Sequence, residues 1–592
     1  MLVQQQLSFL LQDCAAIRSD LRRVASLHAL IVKLGFEPDV VLSNHLVNSY
    51  CKCGDTAAAH NVFDEMPHRN LVSWSALISG YSQCGRPLEA VKLFGGLHSA
   101  NPRICANEYV YASVLSSCSV LSNQAAGKQV HGLAVKSGSE STVFVANALI
   151  TMYMKCGLCG DACKVFDLID GSRNSVSWNS LITGFADNME GEKGLEMLRR
   201  MHLLGFVLDR FTFMAALTIC TYLDELQCGK QLHCMAIKHG LDLTSPVGNV
   251  IVTMYSGFNA IDEAEEAFCC IVEKDNISWN TIISACSHCS YHDRALTHFS
   301  TMLVPDNFTF ASALASCADL ASIRRGLQIH ARIIRTRSGH VDIGVGNALI
   351  NMYAKCGSIK YAWAVFNAML DHNVVSWNSM IAGLSCNGYG NEAIEVFERM
   401  VSDGFSPDYI TFVGLLSACD HVGSVKQGKD LFDSMWRDYG IEPGVEHVAC
   451  LINLLGRAGT LSEAEAYAKK FDNVILWGSL LSACRLHGDV ELGKRAARRV
   501  WEICQLSPLS PSSSSPYVLL SNMCAADGMW EGVAEARKIM KERGVKKEVG
   551  NSWIEIGGVV ERFSVSDFSH SRMDEILTVI ASLSWSLKSS EL

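Results

Sequence analysis

Apolar positions across residues 374–408 recur with the spacing of a helix. Trp377, Ile381 and Leu384 stand at i, i+4 and i+7, and beyond the stretch CNGYGN the spacing returns at Ala393, Phe397 and Met400. Gly404 and Pro407 in DGFSPD close the second segment. The pattern predicts two amphipathic helices joined by a glycine-marked turn. A pair this short cannot bury both faces alone, so neighbouring pairs must cover its apolar stripes. Strand-like alternation is not sustained anywhere.

The neighbours are written into the chain. The phrase NVVSWNSMIAG, from Asn373, returns as NLVSWSALISG from Asn70, NSVSWNSLITG from Asn174 and DNISWNTIISA from Asp275. A second phrase, VGNALINMYAKCG, has the relatives VANALITMYMKCG and LSNHLVNSYCKCG. A third, YITFVGLLSAC, has NFTFASALASC, RFTFMAALTIC and EYVYASVLSSC. Short, standard and long units of ideal lengths 31, 35 and 35 therefore alternate over nearly the whole chain. The expected unit boundaries are 4–39, 40–70, 71–107, 108–142, 143–174, 175–209, 210–244, 245–275, 276–306, 307–342, 343–373, 374–408, 409–444 and 445–473. A C-terminal extension of two motifs, 474–548, and a further segment, 549–592, follow. The expected fold class is all-α, an α-solenoid superhelix of two-helix hairpins.

Composition narrows the function classes. With 49% hydrophobic residues and 11 prolines in 592 residues, neither a disordered chain nor domains on proline-rich linkers fits. No run of eighteen apolar residues supplies a membrane span. A formal charge of −10 argues against bulk, salt-driven nucleic-acid binding, so such a partner would have to be held locally. The 24 cysteines recur in phase with the units, as at Cys14, Cys118, Cys220, Cys317 and Cys419. They read as small buried hydrophobes in a reducing compartment rather than as metal ligands.

The three phrases resemble the pentatricopeptide repeat family of land-plant organelles, in its subclass of alternating standard, long and short repeats. The W-x-x-L-G-x-x-Y phrase of tetratricopeptide repeats is absent, which leaves a protein-interaction scaffold of that type as the alternative from another class. VEHVACLINLLGRAGTLSEAE resembles the family's last short repeat, and VILWGSLLSACRLHGDVELGKRAA and PYVLLSNMCAADGMWEGVAEARKIMKERGVKKE resemble its two extension motifs. The Ser/Pro stretch 507–516 reads as a loop between extension helices.

The resemblance implies readout of single-stranded RNA at one base per repeat. In the family the reading residues are the fifth and the last of a repeat. Here these are Asn44/Asn70 (C or U), Ser75/Asn107 (A), Asn147/Asn174 (C or U), Asn179/Asp209 (U), Asn249/Asp275 (U), Asn280/Asp306 (U), Asn347/Asn373 (C or U) and Asn378/Asp408 (U). Asparagine on a first turn is also a common capping residue, but seven of the eight repeats carry it at the fifth place. Ala112, Met214, Ala311 and Val413 in the long repeats cannot bond a base edge and read as spacers. Apolar second residues, Val41, Val72, Val176, Ile277 and Val375, are expected to sandwich bases. The implied ligand, 5′ to 3′ beside the chain from N to C, is Y-A-n-Y-U-n-U-U-n-Y-U-n-n.

Further implications concern chemistry and place. A family deaminase would need H-x-E and a later P-C-x-x-C, and H-x-E does not occur. His570 in SDFSHS matches the segment ahead of such a domain and reads as structural. CGLC at Cys156–Cys159 and CSHC at Cys286–Cys289 lack a second, suitably placed pair for zinc. GKQV and GKQL lack the remainder of a phosphate loop. The expectation is therefore no enzyme, cofactor or metal. The role implied is site recognition for C-to-U editing of organellar transcripts, with a trans-acting deaminase or other editing proteins meeting the extension and no membrane partner. The edited cytidine is placed four nucleotides beyond the base aligned with the last short repeat. RNA stabilisation or splicing is the alternative within RNA binding. The mitochondrion, or otherwise the chloroplast, is the implied location, although no Arg/Ser-rich leader precedes the repeats. Lys52, Lys155 and Lys355, each in KCG, are candidates to line the groove.

Overall fold

The computed structural model describes residues 2–590 apart from 18–20, 37–38, 101–105, 337–340, 507–513, 527, 543–544, 546–549, 557–558 and 565–571. It divides into two compact units, Met1–Cys289 and Ser290–Leu592. In both, the chain is an α-solenoid of helix hairpins, as its periodicity predicts. Most of the Ser/Pro stretch, and His570, fall outside the described residues; Ser515 and Pro516 already open a helix, Ser515–Ala526.

Within the first unit, Val40–Lys52 pairs with Thr56–Glu65, Glu108–Val120 with Gln124–Lys136, Val143–Lys155 with Cys159–Leu168, and Ser175–Asp187 with Gly191–Leu203. Arg210–Tyr222 with Leu226–Lys238 and Ser245–Gly257 with Ile261–Cys270 continue the series. The second unit repeats it through Ile343–Lys355 with Ile359–Ala368, Val374–Cys386 with Gly390–Ser402, Tyr409–Val422 with Val425–Arg437, and Val445–Arg457 with Leu461–Phe471. Val474–His487 with Val490–Leu506 and Ser515–Ala526 with Trp530–Glu542 carry the hairpin pattern into the extension. Within each unit, first helices pack on the first helix of the next hairpin, while second helices lie against their own partner and the following first helix.

The repeated phrase supplies this packing. Trp377, Ile381 and Leu384 are all buried, and the Trp377 ring meets Phe366 edge-on at 5.0 Å and Phe405 at 5.9 Å. Trp178 does the same with Phe166 at 4.7 Å and Phe206 at 5.8 Å. The glycine ending the phrase answers to close approach. A Cβ at Gly184 would stand 2.2 Å from Met154 Cγ, and one at Gly383 would stand 2.7 Å from Ala354 Cβ. Cys14, Cys118, Cys220, Cys317 and Cys419 are fully buried, as expected of packing residues, and burial pushes the Cys118 and Cys419 thiols up to about 11.

One local feature departs from the helical reading. Asn551–Ile556 and Val559–Ser564 form an antiparallel two-stranded pair with Asn551 opposite Ser564 and Ile556 opposite Val559. The sequence signal is WIEI and VVERF on either side of Gly-Gly, two β-branched runs around a hairpin dipeptide. Each run is too short to show as sustained alternation.

Histidine–tyrosine pairs fasten long hairpins to the short hairpins that follow them. His233 Nδ1 lies 3.0 Å from the Tyr255 hydroxyl and His330 Nδ1 lies 2.7 Å from that of Tyr353, with His28–Tyr50 and His131–Tyr153 matching them. Burial holds His233 and His330 below the usual imidazole range, with Asp242 partly opposing this at His233. A histidine with a depressed native pKa favours folding in its neutral form. Its contribution is complete above about pH 6.5 and is lost as pH falls through the lowered value, because the unfolded chain then binds more protons. The thermal midpoint is therefore expected to fall between pH 7.5 and pH 5. The fall should be smaller in a His233→Asn/His330→Asn variant; equal falls in both proteins would refute the assignment.

Candidate nucleic-acid interface

The last residue of each repeat takes its place from helix chemistry. Asn70, Asn107, Asn174, Asp209, Asp275, Asp306, Asn373 and Asp408 are all N-caps, with extended backbone and a side-chain oxygen accepting from a backbone N–H of the next helix. Asn373 Oδ1 accepts from Ser376 N at 3.0 Å and from Ser376 Oγ at 3.0 Å, while the Asn373 N–H donates to Ser376 Oγ at 3.2 Å. This capping box fixes the side chain before any ligand arrives.

The fifth residue then reaches back to the cap. Asn179 Nδ2 donates to Asp209 Oδ1 at 2.9 Å and Asn378 Nδ2 donates to Asp408 Oδ1 at 2.9 Å. In the short repeats Asn44 meets Asn70 at 3.4 Å, Asn147 meets Asn174 at 3.4 Å, and Asn347 meets Asn373 at 3.3 Å. The structure thus brings five of the expected pairs into direct contact. Asn107 and Asp275 are engaged by their own helices, accepting from Val110 N at 3.0 Å and Ser278 N at 2.8 Å, and among the described residues no hydrogen bond joins them to Ser75 or Asn249. Asn280 belongs to the first unit and Asp306 to the second.

Two classes of asparagine emerge. In the standard repeats 175–209 and 374–408 the carbonyl oxygen is engaged: Thr212 Oγ1 donates to Asn179 Oδ1 at 2.6 Å, and Thr411 Oγ1 donates to Asn378 Oδ1 at 2.7 Å. In the short repeats, Oδ1 of Asn44, Asn147, Asn249 and Asn347 is buried with no hydrogen-bond partner among the described residues. A buried acceptor left without a donor costs about 1–3 kcal/mol. The clamping threonines were not singled out from sequence. They were visible there as the third residue of RFTF and YITF, three places after an aspartate, which is capping-box spacing. Thr411→Val is expected to cost about 1–2 kcal/mol through the stranded Asn378 oxygen, with Thr411→Ser restoring most of it. Hydrogen exchange of the amides in 409–422 reads both.

Three places before the fifth residue, in both units, stand exposed apolar side chains. Val41, Val72, Val176, Ile277 and Val375, expected at this place, are 55–65% exposed. Tyr109, Phe144, Phe211, Phe308 and Ile410 hold the same second position in other repeats and are also exposed. In the first unit they frame two successive clefts. One, of about 520 Å³, has Phe144 and Val176 on its sides with Asn147 and Asn174 in its lining. The next, of about 330 Å³, has Val176 and Phe211 with Asn179 and Asp209. The face thus offers alternating apolar walls with donors and acceptors between them.

The recurrent lysines are held by neighbours. Lys155 borders the second cleft and pairs with Asp187 at 2.6 Å, Lys355 pairs with Asp319 at 2.7 Å, and Lys52 donates to Gln83 at 2.7 Å. Cys156 ends one helix and Cys159 begins the next, and the Cys289 thiol donates to the Ser256 carbonyl at 3.3 Å.

Comparison with known proteins matches this architecture. A PPR repeat model matches residues 34–67, and another matches 72–101, 144–173, 176–206, 277–304 and 347–374. A PPR repeat family model covers 372–421 and an E motif model covers 487–555. The crystal structure of the pentatricopeptide repeat protein PPR10 from maize shares the fold, with a TM-score of 0.55 at 17% identity over 92% of this chain and 89% of that one. A chloroplastic pentatricopeptide repeat-containing protein of Arabidopsis thaliana is 36% identical over 96% of this chain, which spans 65% of that relative. A mitochondrial one is 35% identical over 99% of this chain and 76% of its own length. A third Arabidopsis thaliana pentatricopeptide repeat-containing protein is 36% identical over 96% of this chain and 91% of its own length. This chain belongs to the pentatricopeptide repeat family and carries an E motif behind its repeats.

Proposed function

We propose that this protein binds single-stranded RNA in a sequence-specific way and directs C-to-U editing of organellar transcripts, with the deaminase supplied by another protein. The observation that carries the RNA-binding reading is the ladder itself. Exposed apolar residues recur at the second position of ten of the fourteen repeats, and five amide–carboxylate or amide–amide pairs stand three places further along their first helices. Exposed apolar rows of this kind mark binding surfaces, and flat unpaired bases suit the spaces between them. The base assignments follow the pairs named above, within the repeat boundaries set out for the sequence. An acidic chain binding RNA in this way relies on stacking and edge contacts more than on charge. Relatives named as mitochondrial and chloroplastic support an organellar location, with the mitochondrion as our choice.

Gel-shift titration with Y-A-n-Y-U-n-U-U-n-Y-U-n-n and with a shuffled RNA of equal composition tests the binding. Equal affinity for both would defeat it. Sequencing organellar RNA from a null mutant tests the role: a lost C-to-U change with intact transcript ends supports editing, and altered ends or retained introns would replace it with stabilisation or splicing.

A further inference from the structure

Beyond the last standard repeat the fifth-position readers stop. Val413, Ala449 and Gly478 occupy that place in three successive first helices, and a Cβ built at Gly478 meets nothing within 4 Å. The apolar second position nevertheless returns in the extension, where Ile475 is 58% exposed. Further along the same two helices, Val445–Arg457 and Val474–His487, lies a cleft of about 340 Å³ lined by Asn453, Arg457, Ser482, Ala483, Arg485 and Leu486.

Register ties this cleft to the ladder. Asn453 and Arg457 hold the ninth and thirteenth places of their repeat, and Thr151 and Lys155 hold those places in the repeat that walls the 330 Å³ cleft. The charge differs. Lys155 is matched by Asp187 across the earlier cleft, whereas Leu486 stands in the aspartate's place here. Arg457 leans on the buried Asp420 at 3.4 Å, while Arg485 is exposed and has no ion-pair partner among the described residues. Two guanidinium groups, an amide and a serine hydroxyl around one cleft are donors suited to phosphate and sugar oxygens.

We propose that this cleft holds the RNA backbone beyond the read bases, without regard to base identity. The proposal rests on the RNA-binding reading above. It makes the first extension motif part of the RNA track: Ile475 offers a stacking surface, Gly478 leaves the base edge unread, and Arg457 and Arg485 take phosphates.

The test uses the full chain and a core RNA ending at the base aligned with 374–408, with or without four added nucleotides, U₄ or A₄, at its 3′ end. The 3′ extension is expected to tighten binding severalfold, equally for U₄ and A₄, and a 5′ extension is expected to add nothing. Arg485→Ala should remove most of the gain and leave the core RNA's affinity unchanged. It should also flatten the salt dependence on extended RNA by about 0.7 in log–log slope for one lost phosphate contact. Arg485→Lys should keep part of the gain. No gain in the unaltered protein, a gain surviving Arg485→Ala, or a gain that differs between U₄ and A₄ overturns the proposal while core binding stands. Failure to bind the core RNA overturns the underlying reading as well.

Discussion

Replacing Asn378 with serine is expected to move the preference at one base of the bound RNA from U towards G. Asn378 is held on both sides, by Asp408 through Nδ2 and by Thr411 through Oδ1, so its amide presents one fixed pattern of remaining donor and acceptor sites. Serine is shorter and presents a rotating hydroxyl in place of a planar amide. Asp408 and Thr411 remain joined through Thr411 N at 2.9 Å and Thr411 Oγ1 at 3.0 Å, so the helix start survives the exchange. Direct base-edge contacts discriminate by about 1–3 kcal/mol, roughly ten- to hundredfold in relative affinity. Competition among four RNAs differing only at that base reads the change, and an unaltered order of preference would remove Asn378 from the reading set.

Trp377→Ala is expected to be the most damaging single change to the fold, costing about 3–5 kcal/mol as a large buried ring replaced by a methyl group. The ring contacts Phe366 and His372 from the preceding hairpin and Phe405 beyond its own, with the Arg399 guanidinium 5.6 Å from its centre. In a stack of nearest-neighbour hairpins such damage stays local. Hydrogen exchange should therefore lose protection in Val374–Cys386 and its adjoining helices, with distant hairpins unchanged. Uniform loss across the chain would contradict the modular picture.

The helices were legible in the sequence because their apolar stripes repeat and each copy corroborates the others. Trp377, Ile381 and Leu384 are buried as their spacing predicts, and the glycine ending the phrase is explained by the neighbouring helix at Gly184 and Gly383. The pairing of fifth and last residues was named from resemblance, but its physical cause was not visible there. Asn373 and Asp408 are N-caps, and only coordinates show the amides of the preceding first helices reaching them. The capping-box spacing of Thr212 and Thr411 is written in the sequence, but the reach of their hydroxyls to Asn179 and Asn378 of the preceding first helices is not. The strand pair of Asn551–Ile556 and Val559–Ser564 does not show as sustained alternation because each run is only six residues long.

The double duty of the capping residue restricts how such a protein can be retargeted. A side chain at that junction must first close a helix, and asparagine, aspartate, serine, threonine and glycine do so far better than the rest, with alanine costing about 0.5–2 kcal/mol. The vocabulary available for new targets is therefore short at one of its two letters. Drift towards a novel transcript has to proceed by swaps within that small set, or by changes at the fifth place, where the backbone makes no such demand.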